Sequence, residues 1–314
     1  MKIIQAFLRL VRWPNLVFIA ITQVLFVYCI VHPVMYAAGA VPNIHGQYFI
    51  CLTVSSVIIA AAGYIINDYF DLNIDLINKP EKLVVDKIIP RRWVIFWHLL
   101  LSIAGILLGF YIDFKTHVLF LGFANIACVA LLFLYSISLK KKLLSGNVLI
   151  SALTAWVILV VGWCETSNLL QPALIGSYTE KITRISFLYA GFAFVISLIR
   201  EVIKDTEDME GDRRYGCNTM PIAWGINATK VFVAVWLVVL TSALAIVQFY
   251  VLVFKWWFSA AYCILFIIIP LMYVFKMLVK ANSIKDYHKL SSFIKLVMFT
   301  GILSMIFFRF YLTV

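Results

Sequence analysis

The sequence predicts an all-α fold, a multi-pass membrane bundle of nine transmembrane helices. Of the 314 residues, 64% are hydrophobic and only 13% are charged, against roughly 25% charged residues in a soluble domain. The mean hydropathy of +0.99 is too high for a water-soluble protein to bury its apolar surface. The formal net charge of +11 would suit nucleic acid, but the distribution of the charge indicates a membrane orientation instead. Composition therefore excludes a disordered chain, a nucleic-acid-binding domain and an ordinary soluble enzyme.

Nine apolar runs account for the predicted helices. A helix rises about 1.5 Å per residue, so roughly 20 apolar residues cross the hydrocarbon of a bilayer. Lys295 and Arg309 are the only charged residues inside the runs, and both lie near ends where a long side chain can reach water. In chain order the runs are Leu16–Tyr36, Gln47–Ile66, Trp93–Tyr111, Val118–Ser138, Val148–Cys164, Ile185–Ile199, Val231–Phe254, Phe258–Phe275 and Phe293–Tyr311.

The basic residues predict how these helices are oriented. Of the 26 Lys and Arg residues, 21 lie on the side that holds the N-terminus and the loops after the second, fourth, sixth and eighth runs. Because cytoplasmic loops are enriched in Lys and Arg, we expect the N-terminus inside and the C-terminus outside the cell (inner) membrane. The segment Met1–Ala40 also has features of a cleavable signal peptide. Its apolar run is longer than usual and leads directly into further spans, so we expect a retained first helix.

Acidic residues are concentrated in two loops on the predicted cytoplasmic side. Eleven of the 15 Asp and Glu residues lie in the loops after the second and sixth runs. Both loops carry the spacing Asp-x-x-Asp-x-x-x-Asp, which places three carboxylates on one face of a helix that continues the preceding span. The recurrence predicts a duplicated four-helix unit, with the ninth helix left over. The triads are Asp68, Asp71 and Asp75, and Asp205, Asp208 and Asp212.

Two facing carboxylate triads need cations between them. Like charges at these spacings repel by roughly a few tenths of a kcal/mol per pair on an exposed helix, and by more near a membrane. Carboxylate oxygens suit hard cations, and Mg²⁺ keeps coordination positions open for phosphate oxygens. We therefore expect two Mg²⁺ ions that hold a diphosphate between the triads. The alternative is two solvated loops of mixed charge, which would explain one triad better than two matched ones.

Four polar residues near the triads could bind the diphosphate. Tyr135 and Lys140 close the fourth run, and Arg200 and Lys204 flank the second triad. A hydroxyl and cationic groups could stabilise the charge of a departing diphosphate. Simpler roles stay open, because Lys140 can be a positive-inside anchor and the other cations can neutralise neighbouring acids.

Two asparagines at helix ends are further candidates. Asn67 directly precedes the first triad, and it could bind a metal, bind a phosphate oxygen or merely end the helix. Asn15 opens the first run. Its side chain would reach the site only if the first helix lines the chamber.

The motifs resemble those of the UbiA superfamily of intramembrane prenyltransferases. Its first Asp-rich motif is similar to residues 67–75, Asn-Asp-Tyr-Phe-Asp-Leu-Asn-Ile-Asp. Its second is similar to residues 200–212, and its Tyr/Lys motif to Tyr135 and Lys140 with their neighbours. The resemblance covers nearly the whole chain, and the three motifs together are highly specific. It implies a single domain, residues 1–314, with loops 67–92 and 200–230 as a cytoplasmic cap.

The resemblance implies Mg²⁺-dependent transfer of an isoprenyl group from its diphosphate. The prenyl tail would lie in an apolar tunnel among the helices, and a lipophilic acceptor would attack the allylic carbocation. By motif match the Mg²⁺ ligands are Asp68, Asp71, Asp75, Asp205, Asp208 and Asp212. The implied catalytic residues are Asp68, Asp71, Asp205, Asp208, Tyr135 and Lys140. The implied substrate-binding residues are Asn15, Asn67, Tyr135, Lys140, Arg200 and Lys204.

The acceptor is the least determined part of this prediction. The second motif looks most like the geranylgeranylglyceryl phosphate geranylgeranyltransferase branch, which implies a geranylgeranyl donor and a glyceryl phosphate hydroxyl as acceptor. Relatives often carry Arg-Pro-Ile-Pro-Ser-Gly after the first motif, whereas this chain reads Lys79-Pro80-Glu81 there. Prenylation of an aromatic acceptor in quinone biosynthesis therefore stays open. A membrane cation transporter is the rival class, but acids at helix ends rather than at mid-membrane favour an enzyme.

Overall fold

The computed structural model describes residues 2–78, 80–81, 83–167 and 177–312. Within these ranges the chain forms helices, short turns and one isolated bridge between Val85 and Ile89, so the all-α prediction is confirmed. In chain order the helices are α1 Lys2–Leu10, α2 Trp13–Ala37, α3 Gln47–Phe70, α4 Leu72–Asn78, α5 Arg91–Thr116, α6 Leu121–Ile137, α7 Ser145–Thr166, α8 Ser177–Glu207, α9 Met209–Arg214, α10 Met220–Ala223, α11 Gly225–Val253, α12 Trp257–Lys280, α13 Ile284–Leu303 and α14 Ile306–Leu312.

Among the described residues, eight helical segments are long and apolar enough to cross a membrane. They are α2, α3, α5, α7, α8, α11, α12 and the C-terminal segment Ile284–Leu312. The fourth predicted span, α6, is apolar but only 17 residues long. Its start is fixed by Asp113, whose carboxylate accepts the backbone N–H groups of Leu121 and Gly122 at 3.0 and 2.8 Å. The predicted nine spans therefore correspond to eight full-length helices and one short helix.

Small and polar residues hold the first half of the bundle together. Gly105 of α5 lies against Ile59 of α3, and a Cβ there would come within 2.5 Å of that side chain. Ser55 Oγ of α3 donates to the Gly105 carbonyl at 2.8 Å, and Asn125 Nδ2 of α6 donates to the same carbonyl at 3.0 Å. Because lipid tails are as apolar as the side chains, such close approaches and hydrogen bonds stabilise helix packing in a membrane. They fix α3, which carries the start of the first triad.

Both acidic triads lie where a long helix breaks, and the two breaks match. α3 gives way to α4 at Asp71, and α8 gives way to α9 at Asp208. Asp71 has φ −85° and ψ −2°, and Asp208 has φ −94° and ψ 4°. The prediction of one unbroken helix per triad is therefore wrong, because the middle aspartate of each adopts a bridge-region conformation that bends the chain. The shared bend supports the predicted duplication.

Candidate active site

The same backbone hydrogen bonds position the two triads. The Asp71 N–H donates to the Asn67 carbonyl, and the Asp208 N–H to the Lys204 carbonyl, both at 2.9 Å. Beyond each bend, the N–H of the third aspartate donates to the carbonyl of the middle one, at 2.8 Å in the first triad and 3.2 Å in the second. Each triad therefore starts on a long membrane helix and ends on a short helix at the same end of the bundle.

The first triad is paired with two cations and an amide. Arg12 Nη2 donates to Asp68 Oδ1 at 2.7 Å, and Lys140 forms an ion pair with Asp71. Asn67 Nδ2 donates to the second Asp71 oxygen at 2.7 Å. Only 9% of the Lys140 side chain and 17% of the Asp71 side chain are exposed. Burial alone would lower the pKa of Arg12, but the Asp68 carboxylate outweighs burial and raises this pKa overall, so Arg12 stays charged.

The second triad is oriented from the neighbouring helix α7. Asn147 is buried near the start of α7, and its Nδ2 donates to Asp205 Oδ2 at 2.8 Å. One helical turn earlier on α8, Glu201 accepts a hydrogen bond from Arg200 Nη1 at 2.7 Å. Arg200 Nε is buried and has no hydrogen-bond partner. Since an unsatisfied buried donor is costly, Arg200 is a candidate for contact with a bound ligand.

Asn78 joins the two motifs. This residue ends α4, and its Nδ2 donates to the Asp208 carbonyl at 3.0 Å. Its Oδ1 accepts the Gly211 N–H at 2.9 Å, so one amide side chain contacts both ends of the second bend. The loop after the second motif contacts the residue that follows Lys140, because the Asn218 N–H donates to the Lys141 carbonyl at 2.7 Å. The three segments that the sequence singled out therefore lie side by side.

Two buried groups lie between the triads. Tyr135 lies within electrostatic reach of Asp71 in the first triad and of Asp205 in the second. The Cys217 thiol lies within electrostatic reach of Asp212 and Asp71, and its burial raises its pKa to about 11. Because each of these side chains lies near carboxylates of both triads, the two triads lie close to each other at this end of the bundle.

Asn15 joins the first membrane helix to the last one. Its Oδ1 accepts a hydrogen bond from Lys295 Nζ at 2.7 Å, which links α2 to α13 across 280 positions of the chain. Lys295 lies within electrostatic reach of Arg200 and Lys204 on α8. The start of the first membrane helix therefore lies near the cations of α8 and α13, and Asn15 contacts Lys295 directly. The substrate-binding role of Asn15 stays a prediction.

The structure gathers the predicted site residues at one end of the bundle and adds four that sequence reasoning did not assign to the site. Arg12 precedes the first span, and Lys295 lies inside an apolar run, so both carried a weak signal as charges at a helix end. Asn78 and Asn147 carried none, because an isolated asparagine near a helix end has many ordinary roles. The functional roles of all these residues stay predictions.

The donor set suits a hard divalent cation. Among the residues that the structure describes, no three His, Cys, Asp or Glu side chains converge as a ready ligand group. The carboxylates instead accept hydrogen bonds from Arg12, Lys140 and Asn147. Asn67 Oδ1 is buried without a hydrogen-bond partner beside this set. Carboxylate and amide oxygens are ligands that Mg²⁺ accepts, and a cation would replace the ammonium and guanidinium partners electrostatically.

Comparison with known proteins gives three findings. The model of the UbiA prenyltransferase family matches residues 24–301. A digeranylgeranylglyceryl phosphate synthase from Methanosphaera stadtmanae is 30% identical over 249 residues, 79% of this chain and 82% of that protein. A solved structure of digeranylgeranylglyceryl phosphate synthase superposes with a TM-score of 0.62 at 23% identity, over 98% of this chain and 99% of that one. A UbiA homolog from Archaeoglobus fulgidus bound to DMAPP and Mg²⁺ superposes with a TM-score of 0.57 at 16% identity, over 95% and 98%.

Proposed function

Because this chain belongs to the UbiA prenyltransferase family, we propose that it transfers a geranylgeranyl group from its diphosphate to the hydroxyl of a glyceryl phosphate lipid. The C1–O bond to diphosphate breaks, the acceptor oxygen bonds to C1, and diphosphate leaves with the hydroxyl proton. The observation that carries this proposal is the pair of matched aspartate bends, joined by Asn78 across one chamber. The naming of the 30% identical relative supports the glyceryl phosphate acceptor.

We assign two Mg²⁺ ions to the carboxylates of the chamber. The first ion would take Asp68, Asp71 and Asp75, and the second would take Asp205, Asp208 and Asp212. The relative bound to DMAPP and Mg²⁺ supports this assignment through the shared fold. When bound, Mg²⁺ neutralises the diphosphate and makes it a better leaving group. Asn147 orients Asp205 for this task, because it already donates to one of its oxygens.

The cations that now pair with the first triad would turn to the diphosphate. Lys140 and Arg12 each contact an aspartate that we assign to metal binding. Once a divalent ion takes those carboxylates, both side chains can donate to phosphate oxygens from the same positions. Tyr135 can donate its hydroxyl to the same group, and Asn67 can use its unpartnered oxygen on the metal. Together they would stabilise the charge that develops as the C1–O bond breaks.

The location of the chamber suits both substrates. We place it on the cytoplasmic side, where the basic loops lie, in a single domain of residues 1–314 whose loops 67–92 and 200–230 cover it. The polar head then faces water while each prenyl chain stays among apolar helices. Exclusion of water protects an allylic carbocation from quenching.

The test is transfer by the purified protein in detergent or vesicles. Labelled geranylgeranyl diphosphate and Mg²⁺ are supplied with a prenylglyceryl phosphate or with a panel of aromatic acids. We expect an ether-linked product with the glyceryl phosphate, and loss of that product in Asp205→Asn. Asp286→Asn is the matched control, because the Asp286 carboxylate accepts its hydrogen bonds from Asn282 and Ser283 at the start of α13, and its loss should leave transfer intact. Prenylation of an aromatic acid in place of the glyceryl phosphate would refute the proposed acceptor.

A further inference from the structure

Three cations lie near one another beside the second triad, two of them on α8 and one on α13. Arg200 and Lys204 lie one turn apart on α8, and Lys295 lies on α13 within electrostatic reach of both. The side chains are half-buried rather than spread into solvent. Like charges that are brought together away from water repel strongly. Carboxylates offset part of this charge, since Glu201 pairs with Arg200 and Asp205 lies within electrostatic reach of Lys204. Lys295 adds an ammonium group to them, so the cluster can take a further anion.

Lys295 is the informative member of the cluster. Charged residues inside a membrane helix are rare and usually functional. The direct contacts of the Lys295 ammonium are with neutral groups: Nζ donates to Asn15 Oδ1 at 2.7 Å and lies 5.4 Å from the centre of the Phe18 ring. No ion pair between described residues involves Lys295. Its ammonium group is thus held in place by an amide and an aromatic face, with its charge uncompensated.

Arg200 contributes a donor of the same kind. One of its terminal nitrogens pairs with Glu201, but Nε is buried and makes no hydrogen bond. An arginine fork with one buried nitrogen left over can complete its hydrogen bonds with a phosphate oxygen. An anion bound at this cluster would therefore meet positive charge and one hydrogen-bond donor that has no partner in the protein.

We propose that Arg200, Lys204 and Lys295 bind the phosphate of the acceptor lipid. This inference rests on the proposed function and adds the position of the second substrate. Lys204 directly precedes Asp205, so a phosphate held here lies next to a residue that we assign to Mg²⁺. The hydroxyl and the phosphate of a glyceryl phosphate share one three-carbon unit, so the hydroxyl can reach C1 of the donor from this place. Arg12 and Lys140, which pair with the first triad, would serve the diphosphate instead.

The seam between α2 and α13 also explains how such an acceptor is recognised. An acceptor from the bilayer carries its prenyl chain in lipid and its phosphate at the membrane surface. Asn15 and Lys295 join these two helices at the end of the bundle that holds the triads. When the acceptor binds, its phosphate would replace Asn15 as the hydrogen-bond partner of the Lys295 ammonium group.

The test separates the two substrates kinetically. In the Mg²⁺-loaded enzyme, Lys295→Met should raise the KM for a prenylglyceryl phosphate by about tenfold or more, because a charge-assisted contact is lost. The KM for geranylgeranyl diphosphate and kcat should stay within about twofold. Lys289→Met is the matched control on the same helix, because Lys289 is exposed, and it should change neither KM. Lys295→Arg should restore most of the acceptor affinity.

The acceptor itself supplies the second control. With the dephosphorylated prenylglycerol, the wild type and Lys295→Met should have the same KM, because the phosphate that Lys295 binds is gone. An equal rise in both KM values, or the same loss with the dephosphorylated acceptor, would refute the assignment. Normal transfer by Lys295→Met with an unchanged KM for the acceptor would refute the phosphate site but would still agree with the proposed function. No transfer to the glyceryl phosphate by the wild type would overturn both.

Discussion

Replacing Gly211 by alanine should separate the two aspartate motifs. Gly211 lies on α9, directly against the amide of Asn78. A Cβ at this position would come within 2.5 Å of both Nδ2 and Oδ1 of Asn78. No van der Waals contact is that short, so the Asn78 side chain must turn away or α4 must move from α9. Either response breaks the link between the first motif and the second.

The size of the effect follows from the two hydrogen bonds that Asn78 makes. It donates to the Asp208 carbonyl at 3.0 Å and accepts the Gly211 N–H at 2.9 Å. Each such bond contributes about 0.5–1.5 kcal/mol net, so the loss of both amounts to about 1–3 kcal/mol. At 1.4 kcal/mol for each factor of ten, kcat/KM should fall roughly 5- to 150-fold if the assembled site bears the whole loss.

The assay is prenyl transfer at limiting geranylgeranyl diphosphate, with Gly191→Ala as the matched control. Gly191 is also helical, and a Cβ there would meet nothing within 4 Å. A double-mutant cycle with Asn78→Ala isolates the contact, because the shortened side chain leaves room for the new methyl group. In that background Gly211→Ala should have little further effect. Activity equal to that of Gly191→Ala, or an equally large penalty in the Asn78→Ala background, would show that the contact does not hold the motifs together.

Three further experiments address the site and its scaffold. Lys140→Met should lower kcat by about 100-fold, because the ammonium that we assign to the leaving diphosphate is lost, whereas Lys142→Met, at an exposed position, should not. Equal kcat values for the two variants would contradict this role. Glu165 is 3% exposed and accepts the backbone N–H groups of Asn43 and Ile44 at 2.8 and 3.1 Å. Glu165→Ala leaves two backbone donors unsatisfied, so it should lower the free energy of unfolding in detergent by about 2–6 kcal/mol and leave KM unchanged. An unchanged melting temperature of the variant would refute this prediction. Removal of divalent ions with EDTA should abolish transfer, and Mg²⁺ should restore it, whereas full activity in EDTA would exclude the metal assignment.

Much of the fold could be predicted from local signals. Apolar run length and the distribution of basic residues need no tertiary information, so the helical membrane bundle followed directly from them. The short helix α6 shows the limit of that reasoning. Its apolar run extends from Val118 to Ser138. The helix itself begins only at Leu121, because the backbone N–H groups of Leu121 and Gly122 donate to the Asp113 carboxylate. A side chain in the preceding helix decided where this helix begins, and hydropathy does not register such a contact.

The residues of the candidate site that belong to a repeated pattern could be predicted from the sequence, whereas isolated residues could not. Two triads with the same spacing rarely arise by chance, and the chain brings both motifs into contact through Asn78. Asn78 and Asn147 belong to no repeat. Their importance comes from neighbours more than 50 positions away in the chain, Asp208 and Asp205 respectively.

The amino-acid sequence by itself determined that this protein is a helical membrane bundle with two acidic motifs, because composition and spacing act locally along the chain. Only the tertiary structure decided which groups face those acids. Arg12 approaches them from the turn before α2, Lys140 from the turn before α7 and Asn147 from α7 itself. Lys295 approaches Asn15 across 280 positions. The physical reason is that hydrogen bonds and ion pairs depend on distances of about 3 Å, and helix packing alone brings residues so far apart in the chain to that distance.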